Sequence, residues 1–174
     1  MRVLRAVAVA AVLALLLRPE FLRYRAERRL GAANAAFEYI LDRPTEVPDT
    51  PAILERVSAA AVSTAPDLPG DSRAWVLAGS CQLVNRNAER ALGFYREGLA
   101  AGERAEIHLN VGRAHAMLDE LDYADASFLR AVWISPVLLR AVPKDFAPRV
   151  EIELRSLEAD LKSGRRSAPP GRAD

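Results

Sequence analysis

The chain has 174 residues, of which 51% are apolar and 27% charged, and its formal net charge is +1. That composition suits one ordinary domain with a substantial core and argues against wholesale disorder. A net charge this low gives no reason to expect a nucleic-acid partner, because nucleic-acid-binding proteins usually carry a concentrated basic surface. The single cysteine, Cys81, excludes an intramolecular disulfide and has apolar neighbours, so we interpret it as a core residue and not a nucleophile.

Residues 1–19 predict a short hydrophobic anchor helix. An unbroken apolar run extends from Ala6 to Leu17 and is bounded by Arg5 and Arg18. The run is shorter than the roughly 20 residues of a comfortable membrane span, and no small-residue cleavage pattern follows it. We therefore interpret it as an uncleaved, short membrane anchor. The alternative is a buried helix of a soluble domain, which the absence of a polar stripe disfavours.

The charges that flank this anchor give conflicting predictions of its orientation in the membrane. Arg2 and Arg5 precede the run, and five arginines follow it at positions 18, 23, 25, 28 and 29. The positive-inside rule alone would keep the body in the cytoplasm, whereas a very short basic N-terminus before an apolar run is typical of a signal anchor. Arginine so outnumbers lysine that we infer a high-GC bacterial genome. We expect a single-pass protein of the bacterial cytoplasmic membrane with an extracytoplasmic body.

Residues 20–71 are predicted to form a helical N-terminal flank, interpreted as a degenerate hairpin. Apolar residues recur at helical spacing in its first half: Phe21, Tyr24, Leu30, Ala33, Phe37, Ile40 and Leu41. Three prolines between Asp42 and Pro51 predict a loop. Thr50 before Pro51 is typical of an N-cap, and it predicts a short helix over 52–64.

Residues 72–136 contain an internal repeat. Three pairs of residues stand 33 positions apart: Gly79 with Gly112, Ala91 with Ala124, and Tyr95 with Phe128. Small residues allow two helices of one hairpin to approach, and the bulky rings can fill the space between neighbouring hairpins. We therefore predict two helical hairpins, 72–104 and 105–136, each with a polar turn. Asp122 is the predicted N-cap after the second turn.

These residues resemble the tetratricopeptide repeat (TPR) family, whose unit is a helix-turn-helix. Val111-Gly112 stand at the family's leucine-glycine place, His115 at its tyrosine place, and Ala131 at a packing place. The full signature is Trp75, Gly79, Ala91, Tyr95, Gly112, Ala124, Phe128 and Pro136. The first unit lacks the closing proline. The resemblance implies an all-α fold, a short α-solenoid of TPR-like hairpins.

The resemblance also implies a concave protein-binding groove lined by the first helix of each unit. Its predicted residues are Arg73, Leu77, Ser80, Val84, Glu106, Leu109, Asn110, Arg113 and Met117. Leu109 and Arg113 occupy places where the family's carboxylate clamp has other residues, so this groove suits an apolar or amphipathic peptide or helix. The alternative is that these residues pack against the protein's own flanking helices, because short arrays must cover their ends.

The C-terminal part is predicted to cap the array. Over 137–162 the sequence predicts a helix with an apolar face of Val150, Leu154, Leu157 and Leu161. Two ion pairs at i,i+4 spacing are expected on its other face, Glu151 with Arg155 and Glu158 with Lys162. Residues 163–174 have few apolar side chains and are expected to be disordered.

No constellation of reactive residues accompanies this pattern. His108 and His115 are seven residues apart, too far along a helix to share one metal ion, and we interpret His115 as a packing residue. The acidic group from Asp119 to Asp125 is interpreted as a turn and a helix start. We predict no catalytic, cofactor-binding or metal-binding residue. An enzyme with its site in residues 20–70 is the least favoured alternative.

The sequence therefore predicts a non-enzymatic, membrane-tethered scaffold for protein–protein interaction, acting in envelope assembly, secretion or biogenesis. It would bind a partner peptide or helix through the concave face and the membrane through its N-terminal segment. The alternative is a permanent structural subunit of a membrane complex, or a homo-oligomer that buries the repeat surface against a copy of itself.

Overall fold

The computed structural model describes residues 2–43, 48–165 and 170–171, and every regular element in these ranges is helical. The all-α prediction is therefore confirmed. The α-helices are α1 (Arg2–Asp42), α2 (Thr50–Val62), α3 (Arg73–Val84), α4 (Ala88–Ala101), α5 (Ala105–Met117), α6 (Leu121–Ile134) and α7 (Ala147–Lys162). Short 3₁₀ helices follow α2 at Ala65–Asp67 and α6 at Pro136–Ala141.

Helix α1 is continuous for 41 residues, with Pro19 in its interior. Its buried face is formed by Ala26, Leu30, Ala33 and Ile40, which recur at helical spacing. Three residues predicted to belong to the apolar face are exposed instead: Phe21, Tyr24 and Leu41. That part of the prediction was wrong. Phe21 and Tyr24 precede Ala26, where burial against the body begins, and Leu41 lies about 100° around the helix from the buried Ile40. Among the described residues, no helix combines the length and apolarity needed to span a membrane.

Helix α2 fills the space between α1 and α3. Leu54 and Ala61 are fully buried in a core that α1 and α3 complete. Asp49, with a φ of 54°, precedes the helix, so Thr50 is its first residue and not the predicted N-cap. Residues 44–47 of the predicted Pro-rich loop lie outside the described part of the chain.

The two hairpins α3–α4 and α5–α6 repeat the turn and the second helix at an offset of 33 residues. Helices α4 and α6 begin at Ala88 and Leu121, and each is preceded by a turn with one left-handed residue. These residues are Arg86, with a φ of 58°, and Asp119, with a φ of 61°. The residue before α6 is Glu120, so Asp122 lies inside the helix and the predicted N-cap was wrong.

Each helix packs mainly against its neighbours in the sequence, which gives the body a one-dimensional order from α1 to α7. The core at the far end joins α5, α6 and α7, where Val150 and Leu157 of α7 are buried. Both predicted ion pairs of α7 are confirmed, Glu151 with Arg155 and Glu158 with Lys162. Of the tail predicted to be disordered, the structure describes 163–165 and 170–171.

Candidate protein-binding cleft

The first helices of the two hairpins, α3 and α5, carry all nine predicted groove residues. A cleft of about 430 Å³ opens between α1, α3 and the start of α5. The residues of the predicted groove that line it are Arg73, Leu77, Ser80 and Glu106. The predicted groove residues outside this cleft are Val84, Leu109, Asn110, Arg113 and Met117. The candidate site is therefore smaller than the predicted groove and belongs mainly to the first hairpin.

Helix α1 supplies the wall of the cleft that faces α3. The α1 residues that line it are Glu27, Leu30, Gly31, Asn34 and Phe37. Leu30 and Leu77 are buried at its floor, while Asn34, Arg104 and Glu106 are exposed at its rim. A concave surface with an apolar floor and a few polar groups at the edge is typical of a binding site. The sequence did not indicate that residues of α1 line the groove. The spacing of apolar residues shows which side of a helix is apolar, but not which other helix that side faces.

Arg73 holds one end of the cleft through ion pairs within the chain. Its Nη2 atom lies 2.7 Å from Oε1 of Glu27 on α1, and its Nε donates to both carboxylate oxygens of Asp71. The hydrogen bond from Arg73 lowers the pKa of Asp71, and the two carboxylates raise the pKa of Arg73. The guanidinium is thus engaged with internal partners, which disfavours a role in binding the carboxylate of a ligand.

The second half of the predicted groove is covered by the chain itself. Leu109 is buried in the core shared with α6 and α7. Arg113 donates from Nη2 to the carbonyl oxygen of Ala141 at 3.0 Å and from Nη1 to Oδ1 of Asn110 at 3.0 Å. The 3₁₀ helix at Pro136–Ala141 therefore packs over α5. For these residues the alternative reading, packing against a flanking element, describes the structure better than an open groove.

Val84 and Met117 end α3 and α5, and they stand 33 residues apart. Both are partly exposed, at 43% and 45%. They lie next to the turns of their hairpins and outside the cleft, so they form separate apolar positions and not the continuous surface that the resemblance implied.

The repeat signature brings a glycine and an aromatic ring together in each hairpin. A β-carbon at Gly112 would lie 2.6 Å from Cδ1 of Phe128, and one at Gly79 would lie 2.8 Å from Cδ1 of Tyr95. Both rings are fully buried and pack across their own hairpin. Tyr95 also shares a core cluster with side chains of α5, so the predicted packing between neighbouring hairpins is confirmed for that ring. Phe128 shares a core cluster with side chains of α7.

The remaining signature residues lie within the two hairpins or directly after the second one. Ala91 and Ala124 are fully buried, Trp75 stacks against Phe94 with ring centroids 6.4 Å apart, and Pro136 opens the 3₁₀ helix after α6. Burial raises the pKa of the Tyr95 hydroxyl to about 12, and that hydroxyl lies 3.4 Å from Oγ of Ser80 at the cleft.

A polar network links the two hairpins, and the sequence did not indicate it. Glu103, between α4 and α5, accepts two hydrogen bonds from Arg130 of α6, at 2.9 Å and 3.0 Å. Oε1 of Glu103 also lies 2.9 Å from Nε2 of the fully buried His108. Burial acts to raise the pKa of Glu103, but the hydrogen bonds with His108 and Arg130 outweigh this effect, so the pKa is lowered.

The other candidate reactive groups are in structural positions. Cys81 is fully buried, as predicted, and burial raises its pKa to about 12, which keeps the thiol protonated. His115 is mostly buried near the turn of the second hairpin. Its Nδ1 atom lies 2.6 Å from Oε2 of Glu120, and its ring stacks on Tyr123. Across the described ranges, no three side chains of His, Cys, Asp or Glu are grouped as metal ligands would be.

No family model, no curated protein and no solved structure matches this chain significantly.

Proposed function

We propose that this chain is a non-enzymatic scaffold that binds a partner peptide or helix in the cleft between α1, α3 and α5. Its N-terminal segment would tether it to the bacterial cytoplasmic membrane, with the body outside the cytoplasm, in envelope assembly, secretion or biogenesis. The observation that carries the proposal is the cleft itself, with buried leucines at its floor and polar side chains at its rim.

The body is best interpreted as a short TPR-like α-solenoid. Support comes from three features that recur at the 33-residue offset: the left-handed turn residue, the start of the second helix, and the contact between glycine and ring. In this interpretation α1 and α2 stand in for an earlier hairpin, and α7 caps the array. Such arrays expose a concave surface that suits the binding of other proteins.

The chemistry of the cleft favours an apolar or amphipathic segment as its occupant. Arg73 is paired with Asp71 and Glu27, and Nε of Arg104 lies 3.7 Å from Glu106. The basic groups of the cleft therefore already face carboxylates, which weakens attraction for an acidic tail. An apolar side chain that enters beside Leu30 and Leu77 would instead gain about 25 cal/mol for each Å² of apolar surface that it buries.

The second candidate is a permanent structural subunit, either of a membrane complex or of a homo-oligomer. Two large aromatic side chains of α1 favour it, because Phe21 and Tyr24 are each more than half exposed. Contiguous exposed apolar surface is typical of a surface that another molecule covers.

Site-specific photocrosslinking in cells would test the scaffold proposal. A photoreactive residue would replace Asn34 or Glu106, at the two sides of the cleft rim, and Glu97 on the exposed face of α4 would serve as the matched control. We expect adducts from Asn34 and Glu106 that are absent from Glu97. Mass spectrometry of the adducts would identify the partners.

The pattern of adducts separates the candidates. Several partners that exchange support the scaffold, whereas one stoichiometric partner, or a copy of this chain, supports the structural subunit. Equal adducts from Glu97 and from the cleft positions would contradict a binding role for the cleft, and no adduct at either cleft position would do so as well.

A further inference from the structure

The outer part of α1 projects from the body. Between Leu15 and Arg25 no side chain is buried, and contact with the core begins at Ala26. The helix is continuous across this boundary, and toward the N-terminus the sequence continues as the apolar run that begins at Ala6. A single helix therefore connects an exposed apolar segment to the core of the protein.

The distribution of leucines around this helix indicates the kind of surface it fits. Leu15, Leu16 and Leu17 follow one another at steps of about 100°, so they cover more than half of the circumference. All three are more than 60% exposed. A groove on a protein covers one stripe of a helix, whereas hydrocarbon can surround it, so an apolar surface of this breadth favours lipid over a protein partner.

The next turns carry a basic face. Arg18, Arg25 and Arg29 stand at i, i+7 and i+11, which places them on one side of α1, and Arg28 lies beside them. All four side chains are exposed, and among the described residues no carboxylate lies within ion-pair distance of any of them. Glu27 lies toward another side of the helix and pairs with Arg73.

We propose that this segment binds the surface of an anionic bilayer, with the leucines in contact with acyl chains, Arg18 bound to lipid phosphates, and the other three arginines attracted by the negative charge of the lipid surface. Guanidinium groups pair with phosphate oxygens through two parallel hydrogen bonds. The inference rests on the proposed membrane tether and goes beyond it by naming the lipid class. Arg18 lies next to Leu17, where the headgroup layer meets hydrocarbon.

The four arginines need not all touch headgroups at once. From Arg18 to Arg29 the helix rises about 16 Å, which exceeds the thickness of one headgroup layer. The negative surface potential of an anionic leaflet extends outward by about one Debye length, roughly 8–10 Å in physiological salt. The arginines farther from the leucines therefore contribute through this potential. Because salt screens the potential, binding should weaken as the salt concentration is raised.

Vesicle flotation with the full chain would test the proposal. The vesicles would contain phosphatidylcholine alone, or phosphatidylcholine with roughly one third phosphatidylglycerol. The test variant is Arg18→Gln/Arg25→Gln/Arg28→Gln/Arg29→Gln. The control variant, Arg96→Gln/Arg140→Gln/Arg155→Gln/Arg165→Gln, removes the same charge from exposed positions outside α1.

We expect the parent chain and the control variant to bind anionic vesicles at least about tenfold more tightly than neutral ones, since each arginine near an anionic surface adds measurable affinity. The test variant should lose this preference. A fluorophore attached to Leu16→Cys, in a Cys81→Ala background, should report entry into an apolar medium when anionic vesicles are added.

Equal binding to both kinds of vesicle, binding that survives in the test variant, or no binding at all would overturn the proposal. So would a salt-independent dimer in which the fluorophore is buried without vesicles, because a second copy would then cover the leucines. None of these outcomes affects the crosslinking at Asn34 and Glu106, so failure of lipid recognition remains distinguishable from failure of the protein-binding cleft.

Discussion

The ring of Tyr95 lies so close over Gly79 that a β-carbon there would fall 2.8 Å from Cδ1 of the ring. The same relationship joins Phe128 to Gly112, 33 residues later in both helices, with the corresponding distance at 2.6 Å. Both rings are fully buried. Close packing of the two helices in each hairpin therefore depends on the absence of a side chain at one position.

Replacement of either glycine by alanine should destabilise the fold. For Gly79→Ala and Gly112→Ala we expect a loss of about 1–3 kcal/mol in the free energy of unfolding, because the added methyl group overpacks a buried ring. Chemical denaturation of the purified variants would measure it. Gly93→Ala is the control, since Gly93 lies in α4 with no atom near its missing β-carbon, and it should stabilise by up to about 1 kcal/mol. Equal effects at all three positions would contradict the packing argument.

The Glu103 network should make stability depend on pH. The lowered pKa of Glu103 in the folded state means that its contribution is complete above the ordinary value of 4.5 and is lost as pH falls through the folded pKa. At pH 7 we expect Glu103→Gln to cost about 1–2 kcal/mol, because two hydrogen bonds from Arg130 lose their charged acceptor. Below pH 4.5 the difference between parent and variant should shrink.

Denaturant unfolding from pH 7 down to pH 3 would measure this difference. Glu97→Gln, on the exposed face of α4, is the control and should change the free energy of unfolding by less than about 0.5 kcal/mol. A constant difference between parent and Glu103→Gln across the pH range would show that the carboxylate does not stabilise the fold through its charge.

Arg113 should hold the 3₁₀ helix at Pro136–Ala141 against α5. Its hydrogen bond to the carbonyl of Ala141 has a charged donor, and loss of such a bond costs about 1.5–3 kcal/mol. In Arg113→Ala we expect amides of residues 138–147 to exchange with solvent at least about tenfold faster. Hydrogen exchange with mass spectrometry would detect this, with the exposed Arg96→Ala as control. Unchanged exchange would mean that other contacts hold this segment.

Membrane orientation can be measured separately from binding. A reporter enzyme that is active only outside the cytoplasm, fused after Asp174, should be active if α1 acts as a signal anchor. A matched fusion to a reporter that is active only in the cytoplasm should then be silent. The reverse pattern, with both fusions expressed equally, would place the body in the cytoplasm and contradict the proposed extracytoplasmic location.

The local sequence pattern was sufficient to predict much of the helical architecture. The 33-residue spacing of Gly79 with Gly112 and of Tyr95 with Phe128 located both hairpins, and the spacing of Val150 and Leu157 located the buried face of α7. Such signals are readable because they depend on helical periodicity and on residue size, which are properties of nearby residues. Helix starts were less readable, as Thr50 and Asp122 show, since several polar residues in each turn could serve as the cap.

The sequence by itself determined the helical class, the repeat and the presence of an apolar, arginine-flanked segment at the N-terminus. Only the tertiary structure decided that α1 forms a wall of the cleft, that Pro136–Ala141 covers the second half of the predicted groove, and that Glu103 joins His108 to Arg130. Glu103 and His108 are five positions apart, but the other contacts join residues that are 27 to 46 positions apart. Such contacts depend on how each helix is rotated against the next. Periodicity defines which face of a helix is apolar, but the packing of the whole chain decides what that face meets.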